Sequence, residues 1–170
     1  MIMHRKQIAL AALLGLAGAA LFARYARAEH FNITLRVQSG QQQAETFMDT
    51  TPPIGGVNPR PVVKVKAGDP IHVTWIMKSA FPHGTMRAVT IHFFVVREEQ
   101  IGQKPVPNPA GPAGVVDNSF VMDFAPDAAA DGALRFKIAD PGNYLVRVQS
   151  ENTHQEHDHE HFSAIDLQVE

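Results

Sequence analysis

The feature that most constrains the fold is a two-residue alternation of apolar and polar side chains. Segment 30–38 has apolar residues at every second position, namely Phe31, Ile33, Leu35 and Val37. This period is typical of a β-strand that buries one face. Further strand-like segments lie at 62–66, 71–77, 88–97, 119–124, 132–138, 143–149 and 161–169. No segment shows a convincing helical period, so we predict an all-β protein of about 7–9 short strands.

The same alternation predicts which side chains face the core. In the later segments these are Phe120, Met122, Phe124, Leu134, Phe136, Ile138, Tyr144, Val146, Val148, Ile165, Leu167 and Val169. Segment 88–97 is apolar on both faces apart from Thr90 and His92, which is typical of a strand in the middle of a domain.

Proline and glycine mark the connections between the strands. Segment 49–61 holds four prolines and two glycines, and segment 98–118 holds four prolines and three glycines. We expect a loop in each, and the second, about twenty residues long, is long for a compact domain and is expected to be mobile. Residues 39–48 are polar with little pattern and are assigned no element. Short strands separated by frequent turns predict a Greek-key β-sandwich.

The N-terminal segment has the pattern of a secretory signal peptide. Arg5 and Lys6 precede an apolar run at 8–22, and Ala26-Arg27-Ala28 offers small residues where a signal peptidase cleaves. The alternative is an uncleaved anchor, but the run is shorter than the ~20 residues of a membrane span. We therefore predict a signal peptide at 1–28, a single domain at 29–170, a periplasmic or secreted location, and no membrane span after cleavage.

Charge and cysteine content exclude several functions. Four of the 15 basic residues lie in the predicted signal peptide, which leaves 11 basic against 17 acidic residues, a charge of about −6. An acidic domain lacks the basic patch that nucleic-acid binding needs, so no nucleic-acid partner is expected. The chain has no Cys, which excludes disulfides and thiolate metal sites.

One turn has a recognisable pattern. Residues 140–144, Asp-Pro-Gly-Asn-Tyr, fit the D-x-G-x-Y pattern of the tyrosine corner, in which a Tyr hydroxyl bonds to backbone just upstream of its own strand. The alternative is an ordinary Pro-Gly turn followed by a core Tyr. The Cys that usually follows the Tyr by two residues is Val146 here.

Three features carry a resemblance to a known group of proteins: this turn, segment 65–75 (V-K-A-G-D-P-I-H-V-T-W) and a histidine-bearing loop before the last strand. The chain resembles secreted bacterial immunoglobulin-like and cupredoxin-like β-sandwich proteins over about half of the domain. Some members of these groups handle copper or nickel, so the resemblance implies that metal binding is an option here. A blue-copper centre requires a Cys thiolate, and its absence excludes electron transfer by that route.

The histidines are concentrated just before the last strand. Four of the nine lie within eight residues, at His154, His157, His159 and His161. Extending the parity of Ile165 backwards puts the last three on one side of the strand entry, where i and i+2 residues lie about 7 Å apart and can share an ion. Imidazole with nearby carboxylate suits Cu(II) first and Zn(II) or Ni(II) next. The alternative is a solvated polar loop that binds metals weakly and without selectivity.

Other histidines are candidates to complete a site. His83 lies in a predicted loop close to Met86, a soft donor, and is the next candidate ligand, followed by His154 and His92. His92 lies in the most apolar strand, where a histidine is more often a hydrogen-bonded core residue than a ligand. His72 is expected to be exposed, and His30 would be the second residue after cleavage, so it cannot form an N-terminal histidine brace.

The leading interpretation is therefore a secreted or periplasmic β-sandwich that binds a divalent transition metal, with copper, zinc or nickel as its only expected cofactor, as a carrier, sensor or storage module. The alternative is a non-catalytic, adhesion-like domain that binds an envelope protein or a glycan through segment 98–118, with incidental histidines. The chain has no Cys nucleophile, G-x-S-x-G elbow or H-E-x-x-H helix, so an enzyme is not expected. Copper redox chemistry at the cluster is the remaining catalytic option.

Overall fold

A computed structural model describes residues 31–48, 59–81, 84–151 and 161–170. The predicted signal peptide at 1–28 and most of the proline-rich segment 49–61 lie outside the described residues. The division of the chain at residue 28 therefore stays a prediction.

The described residues form nine β-strands and no helix. The strands are β1 Phe31–Ser39, β2 Gln42–Met48, β3 Val62–Val65, β4 Pro70–Ser79, β5 Met86–Glu98, β6 Gly114–Phe124, β7 Ala129–Lys137, β8 Gly142–Glu151 and β9 Phe162–Val169. They pair into a four-stranded sheet, β2-β1-β4-β7 (sheet A), and a five-stranded sheet, β3-β9-β8-β5-β6 (sheet B). The predicted all-β fold class is confirmed.

The chain crosses between the sheets in a Greek-key order. After the β5–β6 hairpin in sheet B, β7 returns to pair with β4 in sheet A, and β8 returns to pair with β5 in sheet B. The described pairings are antiparallel except for β3 with β9, which is parallel. These crossings place the apolar faces of both sheets against one another.

The core lies between the sheets, where the alternation predicted it. The apolar side chains of β1 are buried together with those of β4, β5, β8 and β9 in one cluster. Tyr144, Val146, Val148, Ile165, Leu167 and Val169 all belong to it, as predicted. Because the chain has no Cys, burial of this apolar area is the main favourable term in folding.

The predicted tyrosine corner is confirmed. The Tyr144 hydroxyl donates to the Asp140 carbonyl oxygen at 2.8 Å, just upstream of β8. Burial raises the pKa of Tyr144 above its ordinary value, so the hydroxyl keeps its proton and remains a donor.

Two predictions about the edges were wrong. Residues 42–48, left without an element, form β2, an edge strand whose described side chains are largely exposed. Segment 98–118 is not one loop, because β6 begins at Gly114, five residues before the predicted strand. Phe120 lies on the inner face of β6, as predicted, because it pairs with the buried Ile91 and stacks on Trp75 with ring centroids 5.9 Å apart. It is nevertheless 42% exposed, because β6 is the edge of sheet B.

The remaining loop, 99–113, is anchored along its length. The Gly102 amide donates to Asp166 Oδ2, the Asn143 side chain donates to the Glu99 carbonyl, and the Arg97 amide donates to the Ala113 carbonyl. The loop therefore packs on the outer face of sheet B.

Candidate functional site

The connections that carry the predicted ligands leave from one end of the sandwich, which we call the histidine end. β4 ends at Ser79 and β5 begins at Met86, on either side of His83. β8 ends at Glu151 and β9 begins at Phe162, on either side of the histidine cluster. Ser79 pairs with the first residue of β1, Phe31, and Glu151 pairs with Thr90 near the start of β5. His83, His154, His157 and His159 themselves lie outside the described residues.

His161 is the member of the cluster that the structure describes. It is 1% exposed and faces the core with Ser163 and Ile165, so the predicted parity is confirmed for this residue. Its ring lies edge-on to Phe31, with centroids 6.2 Å apart, and Phe31 packs in turn on Phe124. The backbone is held by Ser150, whose amide donates to the His161 carbonyl oxygen at 2.9 Å. His161 is therefore a fixed, buried residue at the base of the connection.

His92 is held by carboxylates on both sides of its ring. Nε2 lies 2.7 Å from Asp117 Oδ1, and Nδ1 lies 2.8 Å from Glu151 Oε1. The side-chain Nε2 of Gln149 also donates to Glu151 Oε1. Both nitrogens of the ring are therefore occupied by carboxylate partners. His92 is hydrogen-bonded, as expected, but its ring lies on the outer face of sheet B and not in the core. A metal at either nitrogen would first have to displace a carboxylate.

The carboxylates of Asp117 and Glu151 lie on opposite edges of the ring, so the three groups do not converge on one point. Across the parts of the chain that the structure describes, no three His, Asp or Glu side chains are arranged to hold a metal ion. His72 is exposed on β4 and pairs with Gln38 and Arg135, near the other end of the sandwich. The predicted ligands on the β4–β5 and β8–β9 connections are thus attached to the histidine end, whereas His92 lies within β5.

The outer face of sheet B carries a second feature, a groove beside the proline-rich loop. Val106 packs on the apolar patch of this face, formed by Phe94, Val96, Leu145 and Ala164. Beside it lies an open groove of about 390 Å³. The groove is lined by the loop residues 106–110 and by His92, Phe94, Asp117, Arg147, Gln149 and Glu151. It contains donors, acceptors and both signs of charge, and Glu151 links it to the base of the histidine connection.

Sequence reasoning missed a buried ionic cluster under the same loop. Arg60 bonds to both carboxylate oxygens of Glu98, at 3.0 and 2.9 Å, and its Nε lies 2.9 Å from Asp166 Oδ1. Both acidic side chains are fully buried. Burial raises the pKa of Glu98 and of Asp166, and the Arg60 charge offsets part of that rise. The one sequence signal was Asp166, the only charged residue of β9.

Comparison with known proteins does not identify a family. No protein-family model matches the chain, and no curated protein matches its sequence. The described part of the chain contains no helical segment with the length and hydropathy of a membrane span.

Solved structures show a loose likeness in fold. The solution structure of the CARDB domain of a Pyrococcus furiosus protein is 7% identical, with a TM-score of 0.47 over 83% of this chain and 96% of that chain. A crystal structure of that domain in complex with di-metal ions is 8% identical, with a TM-score of 0.44 over 83% and 94%. The PmoD soluble domain from a Methylocystis species is 11% identical, with a TM-score of 0.39 over 81% and 90%. These likenesses identify neither a family nor a ligand for this chain.

Proposed function

We propose that this protein is an envelope domain that binds a divalent transition metal at the histidine end of its sandwich. The supporting observation is that β4, β5, β8 and β9 end or begin there, on either side of His83 and the histidine cluster. Two connections that are far apart in sequence are thereby attached to the same end of the molecule. Such a domain serves as a carrier, a sensor or a store of metal.

The ligand set is proposed from the donors on the two connections. His157 and His159 are the principal ligands, with His83 and His154 completing the set. Imidazole donors beside Glu and Asp favour Cu(II), with Zn(II) or Ni(II) next. The acidic net charge of the domain also favours cation approach.

His161 and His92 have lower rank as ligands for physical reasons. His161 is buried against Phe31, so it would bind only an ion that reaches the edge of the core. His92 already bonds to two carboxylates on the outer face of sheet B. Both remain in the candidate set behind His157 and His159.

The experiment is a titration of the metal-free protein with Cu(II) and with Zn(II), in competition with a chelator of known affinity. We expect a submicromolar Cu(II) constant (free energy about −8 kcal/mol or stronger) in the parent protein. The His157→Ala/His159→Ala double variant should bind at least about tenfold more weakly, a loss of ~1.4 kcal/mol. His161 is left intact, because truncating a buried side chain creates a cavity and confuses folding with binding.

His72→Ala is the matched control, since it removes one imidazole from the other end of the sandwich. It should leave the Cu(II) constant unchanged. Electron paramagnetic resonance of the Cu(II) complex should show coupling to imidazole nitrogens that the double variant loses. Weak, non-selective binding that the double variant and the control share would overturn the proposed function.

The proposal includes export and cleavage of segment 1–28. Its test is the mass of the protein recovered from the envelope fraction of an expressing cell. A chain that begins at Glu29 supports the predicted division, and a full-length membrane-bound chain contradicts it. The tyrosine corner favours an immunoglobulin-like relationship over a cupredoxin-like one.

The second candidate function is ligand binding in the loop groove. It is favoured by the groove itself, whose wall is the proline-rich loop and whose floor combines the Phe94 ring with polar and charged side chains. Asn108→Trp, at an exposed position on the groove wall, would block a protein or glycan ligand there. The same change should leave metal affinity unaltered, which separates the two functions.

A further inference from the structure

β6 forms one edge of sheet B. It is eleven residues long, and no strand in the described part of the chain pairs with its outer side. In natural proteins, an edge strand is commonly prevented from pairing with another chain by lysine or proline residues or by its short length. β6 has no Lys, Arg or Pro, and Val121 on its exposed face is 62% accessible.

The two charges of β6 are both engaged within its own sheet. Asp117 bonds to the His92 ring, and Asp123 Oδ1 accepts the Ala88 amide of β5 at 2.8 Å. Pairing with β5 is regular from Val116 to Met122, so the backbone there presents an even row of hydrogen-bonding groups. The strand is therefore a ready template for another strand.

The other edges are less suited to this. β3 is four residues long and includes Lys64, and β7 carries Arg135 and Lys137. β2 has an apolar exposed residue, Phe47, but is shorter than β6 and holds the Arg36–Glu45 ion pair on its surface.

We propose that β6 is a self-association surface, on which a second copy of this chain pairs antiparallel through its own β6, with Val121 at the two-fold axis. This register places Val121 opposite its own copy and Ser119 opposite Asp123 of the second copy. A β-branched pair directly across two strands is favourable, and a hydroxyl opposite a carboxylate can donate to it. The two sheets B then form one continuous sheet.

Neighbouring registers are disfavoured by charge. Centring on Phe120 places Asp117 opposite Asp123 of the second copy, and like charges directly opposite are destabilising. Centring on Ser119 places the apolar Val121 opposite Asp117. The Val121-centred register avoids both and covers the most exposed apolar side chain of the strand.

Engineered cysteines test both the surface and the register, because the natural chain has none. Directly opposite residues have Cα atoms about 4.5–5.5 Å apart, within the range of a disulfide. Val121→Cys should therefore form a covalent dimer under mild oxidation. Ser119→Cys, exposed on the same strand, would lie about 14 Å from its own copy, since each residue advances the strand by ~3.4 Å. It should stay largely monomeric, and preferential cross-linking through Ser119→Cys would overturn the proposed register.

The reversible association is measured without oxidation by sedimentation, at protein concentrations up to about 1 mM. Val121→Lys should weaken dimerisation at least about tenfold (~1.4 kcal/mol), because two lysines would meet at the axis. Phe47→Lys, at an equally exposed apolar site on β2, should change it less than about twofold. A parent protein that stays monomeric over this concentration range overturns the proposal, even if another molecule binds β6. A dimer that Val121→Lys leaves intact overturns it as well.

Discussion

Arg60 and Asp166 form a buried ion pair, with Nε 2.9 Å from Oδ1, under the loop that covers sheet B. The same guanidinium bonds to Glu98, and the remaining Asp166 oxygen accepts the Gly102 amide. One side chain therefore connects the segment before β3, the end of β5, the loop and β9.

Replacing Arg60 by Ala should strongly destabilise the fold. It leaves two fully buried carboxylates without their counter-charge, a change that typically costs about 3–5 kcal/mol. Urea unfolding should show the loss as a lower midpoint with an unchanged slope. Arg36→Ala is the control, because that arginine forms an exposed ion pair with Glu45 and should cost no more than about 1 kcal/mol. Equal losses in the two variants would contradict the role assigned to burial.

The ionic cluster should also make stability fall as pH rises from acid. In the unfolded chain Glu98 and Asp166 lose their protons near the ordinary pKa values of 4.5 and 3.8. Burial raises both pKa values in the folded protein, so the folded state holds protons that the unfolded state has already released. Their contribution is greatest below the unfolded pKa and is lost as pH rises through the folded pKa.

Thermal unfolding of the parent protein and of Glu98→Gln, measured from about pH 4 to pH 7, isolates this effect because the amide does not titrate. The stability of the parent relative to the variant should decline with increasing pH. A relative stability that increases over this range would show that Arg60 outweighs desolvation.

Removing the tyrosine-corner hydroxyl should have a modest cost. Tyr144→Phe keeps the buried ring and deletes the bond to the Asp140 carbonyl, a change of about 0.5–1.5 kcal/mol. Chemical denaturation measures it, and Tyr144→Leu, which also alters the packing of the ring, should cost more. A Phe variant as stable as the parent would show that the corner adds no net stability.

Gly132 should not tolerate a side chain. A Cβ there would lie 2.5 Å from the Trp75 ring, so Gly132→Ala must displace the indole at a cost of about 1–3 kcal/mol. Trp75 is the only tryptophan, and its fluorescence should shift as the ring moves toward solvent. Ala133→Ser, at the exposed neighbouring position, should change neither fluorescence nor stability.

The parts of the fold that were predictable from sequence are those set by local rules. The inward faces of β1, β8 and β9 follow from alternation, because successive side chains of a strand point to opposite faces. The tyrosine corner follows from five consecutive residues, with Asp140 and Tyr144 at its ends. β2 and the start of β6 were missed, because an edge strand with little burial needs no alternation.

For the candidate site, sequence alone located the histidines and the core-facing parity of His161. It could not reveal that Asp117 and Glu151 hold His92, or that Arg60 joins Glu98 and Asp166 across 38 and 106 positions of sequence. The reason is physical: hydrophobic periodicity is a property of each strand alone, whereas polar partners are chosen by the order and register of strands. The shared end of the β4–β5 and β8–β9 connections is likewise a consequence of the Greek-key crossings.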